Sequence, residues 1–432
     1  MTEGWKKIKL SEVAPYWTGK IEAELLNEHN FISADNMFPE KGGVEKSSYA
    51  PSSGKATSFK TKDILVSNIR PYFKKIWFAN KNGGCSNDVI VFRTKLDLAD
   101  PTFIYYYLSK DDFFDYMMAG ANGTKMPRGN KKSIPQYEIN LPPLKTQRKI
   151  ASILSAYDDL IENNLKRIKL LEEQAQQTYE EWFSVSGVPV GWKEYALGDL
   201  IGYHIGGGWG QEVKEDDFPD QAYVIRGTDM DNLPLGSIEN VPLRWHKKSN
   251  LKSRKLQDGD IVFEVSGGST YEGVAKTLLV TDGLLKQFDS DVMCASFCKL
   301  MRPKTKDFSY ALILFLKYLR KTKGTEIFEK RSASNIVNYN WEAFLKFQKV
   351  KMPEKEKLNK FNQKVEPIIK SVYILGNQIT KLKEARDILL PRLMSGMIDP
   401  SASSGQVVDS LEVNAGLGMV AESSETYNNM NK

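Results

Sequence analysis

Cysteine and histidine are both scarce in this 432-residue chain, with three of each. Cys85, Cys294 and Cys298 are too few and too scattered for a disulfide framework, which points to a reducing compartment and hence to the cytoplasm. His29, His204 and His246 stand apart from them, so no zinc-ligand spacing forms, and Cys294-x3-Cys298 reads as core. No run of about 18 apolar residues offers a membrane span. The opening Met1-Thr2-Glu3-Gly4-Trp5-Lys6 lacks the apolar centre of a signal peptide. Neither sign of charge dominates, since 60 Lys and Arg against 54 Asp and Glu leave +6. That balance permits nucleic-acid binding without requiring it.

The signatures of self-contained catalysis are missing as well. A phosphate-binding loop needs Gly-x4-Gly-Lys-Ser/Thr, but Gly54-Lys55 is followed by Ala56, and Tyr49 stands where the first glycine belongs. Leu141-Pro142-Pro143-Leu144 has the prolines of an amino-methyltransferase tetrapeptide without its amide or aromatic residue. Pro219-Asp220 follows Glu212-Val213-Lys214, the wrong order for the common metal-dependent nuclease. Gly206-Gly207-Gly208-Trp209-Gly210 has no lysine behind it and reads as a flexible loop. Recognition or scaffolding is therefore the default. A diverged methyltransferase or nuclease, and a coiled-coil adaptor that ignores DNA, are the competing readings.

What the chain does have is a repeat. Gly4-Trp5-Lys6 with Leu10, Glu12 and Val13 returns as Gly191-Trp192-Lys193 with Leu197, Asp199 and Leu200. Asp63-Ile64-Leu65-Val66 returns as Asp260-Ile261-Val262-Phe263, and Cys85 to Arg93 as Cys294 to Arg302. A unit of roughly two hundred residues is too long for a solenoid. It is a duplicated module, suited to a ligand with two similar halves, such as double-stranded DNA.

Each copy has a mixed front part and a helical back part. Short apolar runs between Gly, Pro, Asn and Ser clusters make the front parts α+β, including Asp88–Phe92 and Phe297–Met301 as strands. Short helices follow at Phe103–Leu108 and Tyr310–Leu319. From Ile150 the apolar seam runs through Leu154, Tyr157, Ile161, Asn164, Ile168, Leu171, Ala175, Thr178 and Trp182. Leu358, Phe361, Val365, Ile368, Val372, Leu375, Ile379, Leu382, Arg386, Leu389 and Leu393 repeat it. Steps of four and three over about 35 residues predict two long helices that bury their seams on each other as an intramolecular coiled coil. Asn164 on the seam can fix register. Pro367 removes a donor and is expected to kink or restart the second helix. The expected segments are 1–140, 141–186 with the linker, 187–351, 352–398, and a disordered tail over 399–432.

Basic and amide-bearing loops of the front parts are the candidate contacts. In the first copy they are Lys60, Asn68, Arg70, Lys74, Lys75, Lys125 and Arg128. In the second they are Arg226, Lys247, Lys248, Arg254, Lys330, Arg331 and Asn335. Arg and Asn can make paired hydrogen bonds to base edges, whereas Lys mostly finds phosphate.

The arrangement resembles the specificity subunit of Type I restriction–modification systems over residues 1 to about 398. The residues that carry it are the two Gly-Trp-Lys openings, Leu141–Ile150, Ile161-Glu162-Asn163-Asn164, Leu170-Leu171-Glu172 and the closing Leu389–Gly396. The second proline-led segment, Met352-Pro353-Glu354-Lys355-Glu356, lacks the glutamine usual there. The resemblance implies two target recognition domains, each reading half of a split DNA site, on an antiparallel helix pair with approximate two-fold symmetry. It further implies that the helices set the gap between half-sites and dock two adenine-N6 methyltransferase subunits, which take the base out of the stack. A motor nuclease subunit can join. S-adenosylmethionine, ATP and Mg would belong to those partners, and this chain would hold no cofactor and perform no chemistry.

Overall fold

The computed structural model describes residues 4–183, 192–267, 274–331 and 337–400, with only the backbone of Arg331. The expected linker, Asn335 and the tail beyond residue 400 lie outside the described residues. Four helices carry the architecture: α1 (Pro101–Leu108), α2 (Leu144–Phe183), α3 (Ser309–Lys321) and α4 (Lys355–Met394). The chain forms two compact units, one from residues 1–158 with 384–432 and one from residues 159–383. Each therefore holds one front part and the stretches of α2 and α4 that pack on it. Among the described residues no helix is long and apolar enough to cross a membrane.

The two front parts follow one plan. Each is closed by its own first and last strands: Lys6–Lys9 pairs antiparallel with Glu138–Leu141, and Lys193–Ala196 with Lys349–Met352. The first strand runs into a single helical turn whose apolar residues, Leu10 and Val13 or Leu197 and Leu200, are buried. A central strand comes next. Ile64–Ser67 lies between Ile76–Phe78 and Val89–Phe92, and Ile261–Glu264 lies between Thr277–Leu279 and Cys298–Pro303. These strands are buried on both faces, which is why their sequences are continuous apolar runs without alternation. A short parallel pair completes the match, Phe31–Ile32 beside Gly84–Cys85 and Asp220–Ile225 beside Asp291–Cys294. The third strand of the second copy starts at Cys298, one residue later than the sequence pattern suggested, and leaves Phe297 in the preceding turn.

One buried ion pair anchors each central strand at its start. Asp63 accepts Arg93 Nε at 2.8 Å and Nη2 at 2.6 Å, and Asp260 accepts Arg302 Nε and Nη2, both at 2.8 Å. Each carboxylate also accepts a backbone N–H three residues back, from Lys60 or Gln257. Both aspartates are 1% exposed, so desolvation is offset only because both oxygens of each carboxylate find donors. Arg93 additionally stacks on Trp17, 3.5 Å from the ring centre.

The seam packs helix on helix at its centre, and toward its ends its residues join the cores of the front parts. In the second unit Ile161 and Ile168 pack with Val372, Leu375 and Ile379, flanked by Leu171 and Leu382. Asn164 reaches Gln378 at 3.4 Å, and Trp182 meets Phe361, so the helices run antiparallel there. In the first unit Leu154 and Leu389 share one core. Pro367 does not interrupt α4, which is a single 40-residue helix. Burial of Val365 and Val372 on either side holds the helical path against the roughly 3 kcal/mol penalty of an interior proline. At 1.5 Å per residue both helices are about 60 Å long.

The junction of front part and helix differs between copies. In the first unit Asp158 accepts Arg386 Nη1 at 2.6 Å and the Tyr106 hydroxyl at 2.5 Å. Counted from Pro142 and Pro353, the second unit has Ala175 for Arg386 and Ile369 for Asp158. Those two side chains line a cavity of about 240 Å³ with Ile313, Leu314 and Tyr373. The second unit compensates by close backbone approach. A Cβ on Gly376 would collide with the Pro234 carbonyl, Thr380 Oγ1 donates to Gly236 O at 2.6 Å, and Tyr373 donates to Leu279 O at 2.6 Å.

The paired carboxylates set the first test. Asp63→Ala and Asp260→Ala should each destabilise their unit by about 2–3 kcal/mol in urea unfolding, because each strands a half-buried guanidinium. Glu138→Ala, which breaks only the exposed pair with Lys7, should stay within about 0.5 kcal/mol.

Candidate functional site

At the far end of the first central strand the chain leaves the sheet as Asn68-Ile69-Arg70-Pro71-Tyr72-Phe73-Lys74. Asn68 N donates to Asp88 O at 2.7 Å, and Gly129 N donates to Asn68 O at 3.0 Å. Arg70 N donates to Pro127 O at 2.7 Å, and Ile69 bridges Arg128. Three stretches distant in sequence, at residues 68–70, 88 and 127–129, thus converge on one loop cluster. Arg70 and Lys74 both sit in the left-handed region, φ 48° and 51°, on either side of a one-turn 3-10 helix. Non-glycine residues held there carry strain of about 1–3 kcal/mol each, which native folds concentrate at binding and catalytic sites. Tyr72 between them is exposed.

The first-copy candidates divide by environment. Arg128 is exposed and bidentate to Asp88, Nε to Oδ1 at 3.0 Å and Nη2 to Oδ2 at 3.2 Å; this carboxylate raises its already high pKa. Arg70 is half-buried, and its Nε is buried without a hydrogen-bond partner. Asn68 is 3% exposed and serves the loop through its backbone. Lys74 pairs with Asp111 at 3.2 Å. Lys75 donates to Ala34 O at 2.6 Å, and burial lowers its ammonium pKa. Lys60 and Lys125 are exposed.

The second copy builds the same cluster from residues the sequence reading did not select. Val265 N donates to Phe297 O at 2.9 Å, and Tyr339 N donates to Val265 O at 2.8 Å. Ser266 and Gly267 pair with Asn338 and Val337. Val265, Ser266, Gly267, Phe297 and Asn338 therefore occupy the places of Asn68, Ile69, Arg70, Asp88 and Arg128. Lys330, exposed, lies beside Asn338 on the next strand, and Arg331 continues that strand. Asn335 lies outside the described residues.

The remaining second-copy candidates are engaged elsewhere. Arg226 donates to Asp229 from its backbone N–H, Nε and Nη2, closing a turn that Ser33 and Asn36 close in the first copy. Arg254 Nε donates to Gly206 O at 2.9 Å. Lys247 is 3.6 Å from Asp217, and Lys248 is exposed at the start of the helix Lys248–Arg254. The glycine run is not a loose loop, for Gly207 N donates to Cys298 O and Gly208 N to Cys294 O, both at 2.9 Å. A Cβ on Gly207 would strike the Cys294 and Ala295 carbonyls, so glycine is required by close approach.

Titratable groups near these loops are held by burial. Glu264, at the end of the second central strand where the first has Ser67, is 8% exposed, and desolvation pushes its carboxyl up against the opposing pull of Lys276 and Arg320. Burial and the Arg254 charge lower the His246 pKa. Burial pushes the Cys85 and Cys294 thiols up to about 12, so they are packing groups. Among the described residues no three His, Cys, Asp or Glu side chains are placed to hold a metal. The exposed chemistry of the clusters is guanidinium, ammonium, amide and aromatic.

Comparison with known proteins agrees with this architecture. Residues 2–173 match the model of the Type I restriction modification DNA specificity domain. The chain is 25% identical to the MjaIX specificity subunit of Methanocaldococcus jannaschii, over 68% of each. It is 24% identical to the HindI specificity subunit of Haemophilus influenzae, over 91% of this chain and 99% of that one. Its fold is similar to the S subunit of a Type I restriction–modification system from M. genitalium, with a TM-score of 0.54 at 16% identity, covering 90% of this chain and 96% of the other. With the duplicated fold and the two long helices, residues 2–173 match a Type I restriction modification DNA specificity domain, and the chain as a whole is similar to specificity subunits of Type I restriction–modification systems.

Proposed function

We propose that the chain reads a split, asymmetric site in double-stranded DNA and performs no chemistry itself. Residues 1–140 and 187–351 are the two target recognition domains, and 141–186 and 352–398 supply the helical connection. The observation that carries this is the loop cluster built twice, at the same end of equivalent central strands, with different side chains in each copy. A shared frame with unlike tips suits two unlike half-sites. In the first domain Arg70 and Arg128 supply base-edge contacts, while Lys60, Lys74, Lys75 and Lys125 supply charge toward phosphate. In the second, Lys247, Lys248, Lys330 and Arg331 supply the charge.

The partners are two adenine-N6 methyltransferase subunits, which bring S-adenosylmethionine, and a motor nuclease subunit, which brings ATP and Mg. They dock on the helices, whose length sets the distance between half-sites.

Three outcomes are expected. Co-expression with the methyltransferase subunit should place N6-methyladenine in a two-part motif, detected by sequencing of modified bases. A genome without such a motif would refute DNA reading. Arg70→Ala or Arg128→Ala should weaken only the half-site read by the first domain, by about tenfold or more per lost bidentate contact, and equal damage to both halves would make these residues structural. Inserting four residues after Lys169 should change the gap between half-sites and leave both halves intact, whereas an altered half-site at constant gap would exclude the ruler.

A further inference from the structure

The second loop cluster carries an aromatic residue where the first carries an ion pair. Phe297 stands in the place of Asp88, and Asn338 in the place of Arg128. Phe297 is 65% exposed. A single exposed apolar side chain is ordinary on a protein surface, but this one is fixed in an unusual way. The five-residue turn Cys294–Cys298 is pinned by backbone on all sides. Ala295 N donates to Ile225 O and Cys298 N to Ala295 O, both at 2.8 Å. Phe297 O accepts Val265 N at 2.9 Å and Ser266 N at 3.3 Å. From behind, Gly207 and Gly208 donate to the two cysteine carbonyls, and the Cys294 and Cys298 side chains are fully buried. A turn hydrogen-bonded along its backbone therefore holds a large apolar ring out in water, where its own burial gains nothing.

Asn338 shares this position. Its backbone pairs with Ser266, its Oδ1 accepts the Ser266 hydroxyl at 3.0 Å, and its side chain is exposed. Ser266 thus touches both residues, through the Phe297 carbonyl and the Asn338 amide. An exposed, preorganised aromatic beside an exposed amide fits a nucleobase. The ring offers a stacking face to a base of any identity, and the amide offers the donor–acceptor pair that matches an adenine edge.

We infer that Phe297 and Asn338 are the base-contacting pair of the second domain, Phe297 stacking on an unstacked base or base step and Asn338 hydrogen-bonding to an adjacent base edge. The first domain works differently at the same place, using guanidinium groups. This rests on the proposed DNA reading, and the test separates the two.

The motif is first mapped with the unaltered chain and its methyltransferase partner, and duplexes carrying it are then used for binding with Phe297→Ala, Phe297→Trp, Phe297→Lys and Asn338→Ala complexes. Phe297→Ala should weaken binding by about tenfold or more, with the loss of methylation confined to the second domain's half-site. The slope of affinity against salt should not change, because no phosphate contact is lost. Phe297→Trp should bind within about threefold of the unaltered chain, since it keeps a stacking face. Asn338→Ala should relax a single base position in that half. Thermal unfolding should be the same for Phe297→Ala as for the unaltered chain, because the ring is exposed. A motif from the unaltered chain together with unchanged affinity for Phe297→Ala would overturn the inference and leave DNA reading intact. Restoration by Phe297→Lys would also overturn it, by showing that the position needs charge. Absence of any motif from the unaltered chain would remove both.

Discussion

Everything else in this protein depends on a central strand that is buried on both faces and held at one end by a carboxylate–guanidinium pair. Asp63 with Arg93, and Asp260 with Arg302, fix where the strand starts and which neighbours it meets. A buried pair of this kind tolerates no slip in register, since a one-residue shift would leave two charges without partners. The opposite end of the strand is then delivered to a fixed point. There the backbone connections repeat almost bond for bond, Asn68 to Asp88 and Gly129 in one copy, Val265 to Phe297 and Tyr339 in the other. The side chains at those positions do not repeat at all.

This separation of frame and tip explains how one duplicated module can serve two different half-sites. The frame uses main-chain hydrogen bonds, buried apolar strands and one ion pair, none of which involves the exposed side chains. Arg70, Asp88 and Arg128 could diverge to Gly267, Phe297 and Asn338 without disturbing it. The helix junction diverged too. Tyr106, Asp158 and Arg386 form a polar lock in the first unit, whereas the second relies on the contact between Gly236 and Gly376 and leaves a cavity. Gln147, which caps the first junction by accepting Asp100 N and donating to Pro142 O, is matched by Leu358 in the second. There Asn362 makes the substitute bond, to Asp307 O. The glutamine missing from the second proline-led segment is therefore a structural clasp replaced one turn further along.

Much of this was legible in the residues. The repeat, the two helices and their seam follow from apolar spacing, because a heptad pattern encodes its own geometry. Cys85 to Arg93 and Cys294 to Arg302 already aligned the ion-pair arginines, and with them Asp88 against Phe297. Pro367 was misleading, since local propensity disfavours an interior proline and only the packing of Val365 and Val372 overrides it. The glycine run at 206–210 misled in another way, its glycines serving close backbone approach to the Cys294–Cys298 turn.

The sequence by itself determined the class of fold, the duplication and the length of the helices, because these depend on periodicity and burial, which are local properties of the chain. The tertiary structure decided which polar side chains face outward together. Arg226 and Arg254 look like free cations in sequence, yet Asp229 and the Gly206 carbonyl engage them. Ser266, Phe297 and Asn338 look unremarkable in sequence, yet strand pairing brings them to one point. Loop lengths between the shared strands differ, so equivalence of Arg128 and Asn338 exists only in space, where main-chain hydrogen bonds fix both beside the same strand end.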